Sequence, residues 1–275
     1  MSYNITSLTV TPKEVPSYYK RLSICVKSNG FSFSRTTTQG ILLTFGEIEM
    51  DMNRSISDLS ADLKQFFAEA RITPFDFEDM HLVVPSDNVV WVPRALFAEG
   101  HEREYIEPLC APAAGMNVFA SYNEAVDAYG VFVANSNIVT AFRIVLPGVE
   151  VCCQHSALLT PTLLQASQNN PLVLLHQRRD RCDCEVCNEG KLLLSNTYMV
   201  RGNDERLFRA LQLMKTFGLE NDNFVLLIAG EVDRLSYASL QGFFPRIMLY
   251  NGTPLRYINP EFRQLHCYRH ILSLS

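Results

Sequence analysis

RLSICVKSNGFSFSRTTTQGILLTFGEIEM, residues Arg21 to Met50, and PLVLLHQRRDRCDCEVCNEGKLLLSNTYMV, residues Pro171 to Val200, lie over one another without a gap when the second run is moved back by 150 positions. The turn after the second strand ends at Gly40 in one run and Gly190 in the other, followed by Ile41-Leu42-Leu43 and Lys191-Leu192-Leu193. An amphipathic stretch and an apolar strand come next in each case, Met80 to Val84 and Phe224 to Ile228. The match is one of pattern rather than identity. It predicts an internal duplication.

In the first run Leu22 to Val26 reads as a strand, and Ser28-Asn29-Gly30 holds the Asn-Gly pair that takes the positive φ angles of a tight hairpin. Phe31 and Phe33 alternate with Ser32 and Ser34, so the return strand has one apolar face, and a third strand runs from Ile41 to about Ile48. Ser55 then precedes Ile56, Leu59, Leu63, Phe66 and Phe67, an apolar stripe at helical spacing, with Asp58 placed for a capping-box-like start. The second run repeats the order with strands Leu172 to His176, Cys182 to Val186 and Leu192 to Met199. Asn203 is the expected cap of a helix carrying Leu207, Leu211 and Met214, and Gly218 stands where a left-handed C-terminal residue belongs. A short helix over Asp233 to Gly242 and a strand over Arg246 to Tyr250 follow, and Asn259-Pro260 starts a terminal helix leading into Phe262, Leu265 and Ile271.

Between the two runs lie strands at Val89 to Pro93, Asn117 to Ala120, Tyr129 to Val133 and Val149 to Cys153. The same stretch holds a broken helix over Ala95 to Leu109 and helices over Ser136 to Leu146 and Ala157 to Gln168. We divide the chain into a first unit, 1–155, with an insertion near 85–130, and a second, 156–275, that begins with the connecting helix. The expected class is α/β, each unit a three-stranded antiparallel meander plus parallel strands flanked by helices.

The chain of 275 residues, 47% hydrophobic and 19% charged, suffices for one large core or two moderate ones. A net charge of −5, with Arg178-Arg179-Asp180-Arg181 as the richest cationic cluster, disfavours nucleic-acid binding, which relies on many phosphate contacts. Met1 to Thr6 lacks the basic and apolar regions of a secretory signal, and no apolar run reaches the roughly 20 residues that span a bilayer, so the expectation is a cytoplasmic protein without a transmembrane segment. Eight cysteines are then expected as thiols.

A meander followed by helix, strand, helix and strand, occurring twice, resembles the ribonuclease-H-like unit doubled in the actin, Hsp70 and sugar-kinase ATPase superfamily. Val92-Pro93-Arg94-Ala95-Leu96-Phe97 with Tyr105, and Gly190-Lys191-Leu192-Leu193-Leu194-Ser195-Asn196, look like a family of uncharacterised bacterial proteins, a domain of unknown function with an actin-like ATPase fold. The resemblance covers nearly the whole chain. It implies a fold and no established activity.

Active members of that superfamily carry Asp-x-Gly at the turn joining the first two strands of each copy, where backbone amides cradle phosphates and the carboxylate organises Mg²⁺. Here the turns read Val26-Lys27-Ser28-Asn29-Gly30, a glycine without the acid, and Gln177-Arg178-Arg179-Asp180-Arg181, an acid without the glycine. The adenosine-side glycine pair is reduced to Ala229-Gly230-Glu231. Lys27, Asn29, Gly30, Arg178, Asp180 and Gly230 are thus the candidate remnant of a nucleotide cleft. No catalytic residue and no cofactor are assigned.

Cys182-Asp183-Cys184-Glu185-Val186-Cys187, with His176 nearby, has the wrong spacing for a common zinc motif. Cys182 and Cys184 share one strand face and align with Ser32 and Ser34, with Cys187 over Thr37, which favours structural thiols, and adjacent Cys152 and Cys153 face opposite ways as small core filler. His266 and His270 form an i, i+4 pair on the expected terminal helix, but no acid accompanies them and no metal site is assigned. Nothing sets a nucleophile on a sharp turn beside a base. Glu231 and Asp233 read either as cleft-lining acids or as helix-start residues favoured by the helix dipole. Trp91 packs in a core or marks a partner-binding edge strand. The expected function is a non-catalytic actin-like protein that binds a protein partner; the alternative is a nucleotide-binding ATPase or kinase-like protein with an unconventional phosphate site.

Overall fold

The computed structural model describes residues 3–10, 19–37, 39–166, 171–219, 224–250, 256–257 and 259–274. Alternating side chains give β1 (Tyr3–Val10) and the meander β2 (Tyr19–Lys27), β3 (Gly30–Thr37) and β4 (Ile41–Met50), followed by α1 (Ile56–Glu69) and β5 (Asp79–Val84). Ser55 caps α1, its Oγ accepting from the Asp58 amide. The insertion holds β6 (Val89–Pro93), α2 (Glu102–Ile106), β7 (Met116–Asn123) and β8 (Ala128–Asn135), after which come α3 (Ser136–Val145), β9 (Glu150–Cys153) and α4 (Gln154–Ala166). The last two positions expected in that helix, 167 and 168, lie outside the described residues.

The second meander is β10 (Leu172–Gln177), β11 (Arg181–Asn188) and β12 (Lys191–Met199). Glu189 and Gly190, both at positive φ, make its two-residue turn. Then follow α5 (Asn203–Thr216), β13 (Val225–Gly230), α6 (Arg234–Gln241), β14 (Ile247–Leu249), β15 (Arg256–Tyr257) and α7 (Ile271–Leu274).

The strands make three sheets, in orders β1-β4-β3-β2-β5-β9, with β15 beside β4, then β12-β11-β10-β13-β14, and β6-β8-β7. In the first, β5 joins β2 in parallel; in the second, β13 joins β10 in parallel. The outer face of the first sheet packs Phe31 and Phe33 against Phe66 of α1 and Phe142 of α3, the Phe31 contacts being edge-to-face. The outer face of the second packs Cys182, Cys184 and Val186 with Leu213 of α5 and Leu240 of α6. The inner faces, with Cys25, Val83, Leu174 and Leu227, close on α4 and α7 through Leu158, Leu159, Ile271 and Leu272.

The ungapped alignment needs one correction. Both meanders carry a β-bulge at the start of the third strand: Arg35 faces Thr44 but Thr36 faces Leu42, and Val186 faces Leu194 but Cys187 faces Leu192. Matching the extra residues, Leu43 and Leu193, keeps the 150 offset for the third strands and moves the first two by one more position. A one-residue slip turns every side chain to the other face. Cys182 and Cys184 therefore correspond to Phe31 and Phe33 in the outer cores, whereas Asp183 and Glu185 correspond to the inward Ser32 and Ser34.

Two further expectations are corrected. Asn203 is the first residue of α5 rather than its cap, since Gly202 at φ 147 takes the capping position and the Asn203 Oδ1 accepts instead from Arg206 Nη1 at 3.0 Å. The terminal helix is broken into 3-10 turns, Pro260–Gln264 and Cys267–Arg269, before α7. Phe262 and Leu265 pack against Leu42 and Phe45, Tyr268 reaches the second sheet's core, and Ile271 and Leu272 reach the inner one. One straight helix presents a single apolar stripe and cannot serve three directions.

Candidate functional site

By the bulge-matched register, Lys27 and Arg178 hold matching positions in the two meanders, each at the end of the first strand where the hairpin turns. Burial pushes the Cys25 thiol up to about 11, and the charges of Lys27 and Arg178 partly offset this.

Each cation is engaged by a carboxylate of its own meander. Lys27 Nζ pairs with Glu47 of β4. The Arg178 guanidinium makes a two-pronged contact with Asp183 of β11, Nε to Oδ2 at 3.0 Å and Nη2 to Oδ1 at 2.8 Å. Arg178 Nη2 also reaches Asp87 Oδ1, on the loop after β5, at 3.3 Å, and Arg181 Nε donates to Asp87 Oδ2 at 2.9 Å. Asp180 accepts from Arg181 Nη1 at 2.8 Å. The second turn is thereby latched to the loop after β5.

Asp183 is the centre of this latch. It is fully buried and also accepts from Thr197 Oγ1 at 2.7 Å, Gln154 Nε2 at 3.1 Å and His176 Nδ1 at 2.9 Å. Burial opposes its ionisation, but His176, His155 and Arg178 hold its carboxyl far below the ordinary range. Beside it His155 joins Glu185 through Nδ1 and Thr197 Oγ1 through Nε2 at 2.9 Å. Burial lowers the His155 pKa, but the Glu185 carboxylate more than compensates and the net direction is upward; burial also raises Glu185. Gln154, next to His155 at the start of α4, accepts from the Ser86 amide at 2.8 Å and donates back to the Ser86 carbonyl. One buried network thus ties β11, α4 and the loop after β5.

The remaining candidates have local explanations. Gly30, at φ +146, would place a Cβ 1.9 Å from the Ile48 carbonyl oxygen, and Gly230, at φ +85, one 2.1 Å from that of Gln177; both glycines are required by crossing backbones. Asn29 is exposed. Asp233 caps α6, accepting from the Ser236 amide at 2.6 Å. His270 packs at a tilt against Phe45 with centroids 4.6 Å apart, and burial pushes it down to about 4; it shares no α-helix with His266. Among the described residues no group of three or more His, Cys, Asp or Glu is arranged to hold a metal ion. Trp91, on the edge strand β6, lies over Gly130 and against the inner core. Sequence reasoning singled out the cysteines and passed over Asp183, Glu185, His155, Gln154 and Asp87. Alternation in Cys-Asp-Cys-Glu does place the acids opposite the thiols, and the correct register would have pointed them inward.

At the other end of the first sheet's inner face, away from the turns, a groove of about 1080 Å³ opens. Arg21, Ser23, Ser34, Thr36 and Glu150 form its floor, Tyr122 to Ala125 of the insertion one wall, and Ser156 and Thr160 of α4 another.

A family model described as "Protein of unknown function (DUF3822)" matches residues 12–247. No curated protein matches the chain by sequence. Among solved structures, a Bacteroides thetaiotaomicron protein with actin-like ATPase fold and unknown function superposes with a TM-score of 0.71 at 18% identity, over 90% of this chain and 95% of that one. The PilM-PilN type IV pilus biogenesis complex gives a TM-score of 0.60 at 11% identity, covering 94% of this chain and 97% of that one. These likenesses show the fold: a mixed α/β protein of actin-like ATPase architecture, in which no described helix is long and apolar enough to cross a membrane.

Proposed function

The chain belongs to the DUF3822 family of proteins of unknown function, and on that footing we propose that it is a non-catalytic actin-like protein that holds an extended segment of a partner protein. The carrying observation is that Lys27 and Arg178 are both engaged by carboxylates, with Arg178 latched to Asp183 and Asp87, while the groove at the far end stays open. A phosphate drawn to Lys27 or Arg178 would have to displace an ion pair, and no glycine allows its close approach at the second turn. The proposal takes 1–155, with 85–130 inserted, and 156–275 as duplicated units, supported by the shared bulge and the equivalence of Lys27 with Arg178.

The groove suits a peptide chain. Hydroxyls of Thr36 and Thr160 offer hydrogen bonds to an extended backbone, and Glu124 and Glu150 outnumber Arg21, which favours a basic side chain in the occupant. PilM, seen with PilN, is a protein of this fold that holds a partner. Selection from a displayed peptide library against the purified protein tests the reading. Recovered basic peptides should lose at least tenfold in affinity with Thr160→Trp or Ala125→Trp, exposed groove positions, at unchanged melting temperature. Peptides indifferent to both substitutions would place partner binding elsewhere.

A further inference from the structure

In the first sheet the outer edge of β4 is covered, antiparallel by β1 from Tyr3 opposite Met50 to Val10 opposite Thr44, and then by β15 beside Ile41 and Leu42. β12 is the corresponding strand of the second sheet and carries the same bulge, yet it ends the strand order and among the described residues pairs with β11 alone. An edge strand offers a row of unpaired backbone donors and acceptors, and proteins usually blunt it with proline, inward charge or short length. β12 runs from Lys191 to Met199 with no proline and one charge, at its first residue. Leu193 and Met199 on it are 46% and 58% exposed.

We propose that this edge is filled by a second copy of the chain, β12 against β12, antiparallel about a two-fold axis through Ser195. That register pairs the whole strand, setting Lys191 of each copy opposite Met199 of the other and Leu193 opposite Thr197. The two lysines then stand at opposite ends of the ribbon, about 26 Å apart at ~3.3 Å per residue, so no like charges meet. β1 on β4 demonstrates that this edge of the meander accepts an antiparallel strand, and β1, like the rest of β12, is uncharged. The contact uses one patch on both copies, which closes as a dimer. It is independent of the groove.

Sedimentation equilibrium of the full chain across the micromolar range tests the proposal, and the expected result is a monomer–dimer equilibrium. Met199→Lys sets like charges opposite each other twice per dimer and should weaken association by roughly tenfold. Met199→Glu should tighten it, and Lys191→Glu combined with Met199→Lys should restore it. Because Met199 also lies opposite Arg181 of β11, melting curves are taken at concentrations where each variant is monomeric, and all three should still unfold cooperatively there. A monomer at every concentration would overturn the proposal and leave the edge to another protein's strand; a dimer indifferent to charge at 199 would overturn it by placing the contact elsewhere.

Discussion

Asp183 shows what one buried carboxylate does when every donor around it is satisfied. Its partners come from β10, the second turn, β12 and α4, so Asp183→Ala strands the Arg178 and His176 donors together. Removing one member of a buried pair costs about 3–5 kcal/mol, and urea unfolding of Asp183→Ala should show a loss of that size. His155 supplies a pH signature. Its folded pKa lies above its unfolded value, so the stabilisation is fully present below about pH 6.5 and is lost as pH rises through the folded pKa. Urea midpoints for the parent and His155→Gln should therefore differ more at mildly acid pH than at alkaline pH. An unchanging gap would remove the charged histidine from the account. Asp183 itself contributes in the opposite direction: its stabilisation is present above about pH 3.9 and lost only in stronger acid.

At the scale of elements, local signals were legible and long-range ones were not. The α1 helix was readable because Ser55, Asp58 and the stripe Leu59-Leu63-Phe66-Phe67 agree with one another, and Ser55→Ala should cost about 1 kcal/mol in thermal unfolding through loss of the cap. The meanders were readable from alternation and turn residues. The bulge was not, because Leu43 and Leu193 sit in apolar runs where an added residue leaves no mark in the pattern. That single position decided whether thiols or acids face inward, and so concealed the buried network. Cys184 now has a testable place: it fills a core position held by Phe33 in the other meander, and Cys184→Ser, burying a hydroxyl there, should cost about 1–3 kcal/mol. Were the cysteine run a metal site instead, the same change would release zinc measurable by elemental analysis. The terminal segment was misread because its apolar spacing suits a helix, while the cores it serves lie in different directions.

For the whole molecule, order of elements was enough to anticipate the actin-like architecture, but the state of the cleft depended on contacts between residues far apart in sequence, such as Arg178 with Asp87. At each turn the cation already carries a counter-charge, Glu47 for Lys27 and Asp183 for Arg178. Calorimetric titration with Mg-ATP, paired with melting curves, tests this most directly. A ligand at 100 times its Kd would add about 2.7 kcal/mol of stability, so binding could not go unnoticed. The account predicts no heat of binding and no rise in melting temperature for the parent protein. Saturable Mg-ATP binding that disappears in Lys27→Ala or Arg178→Ala would contradict it.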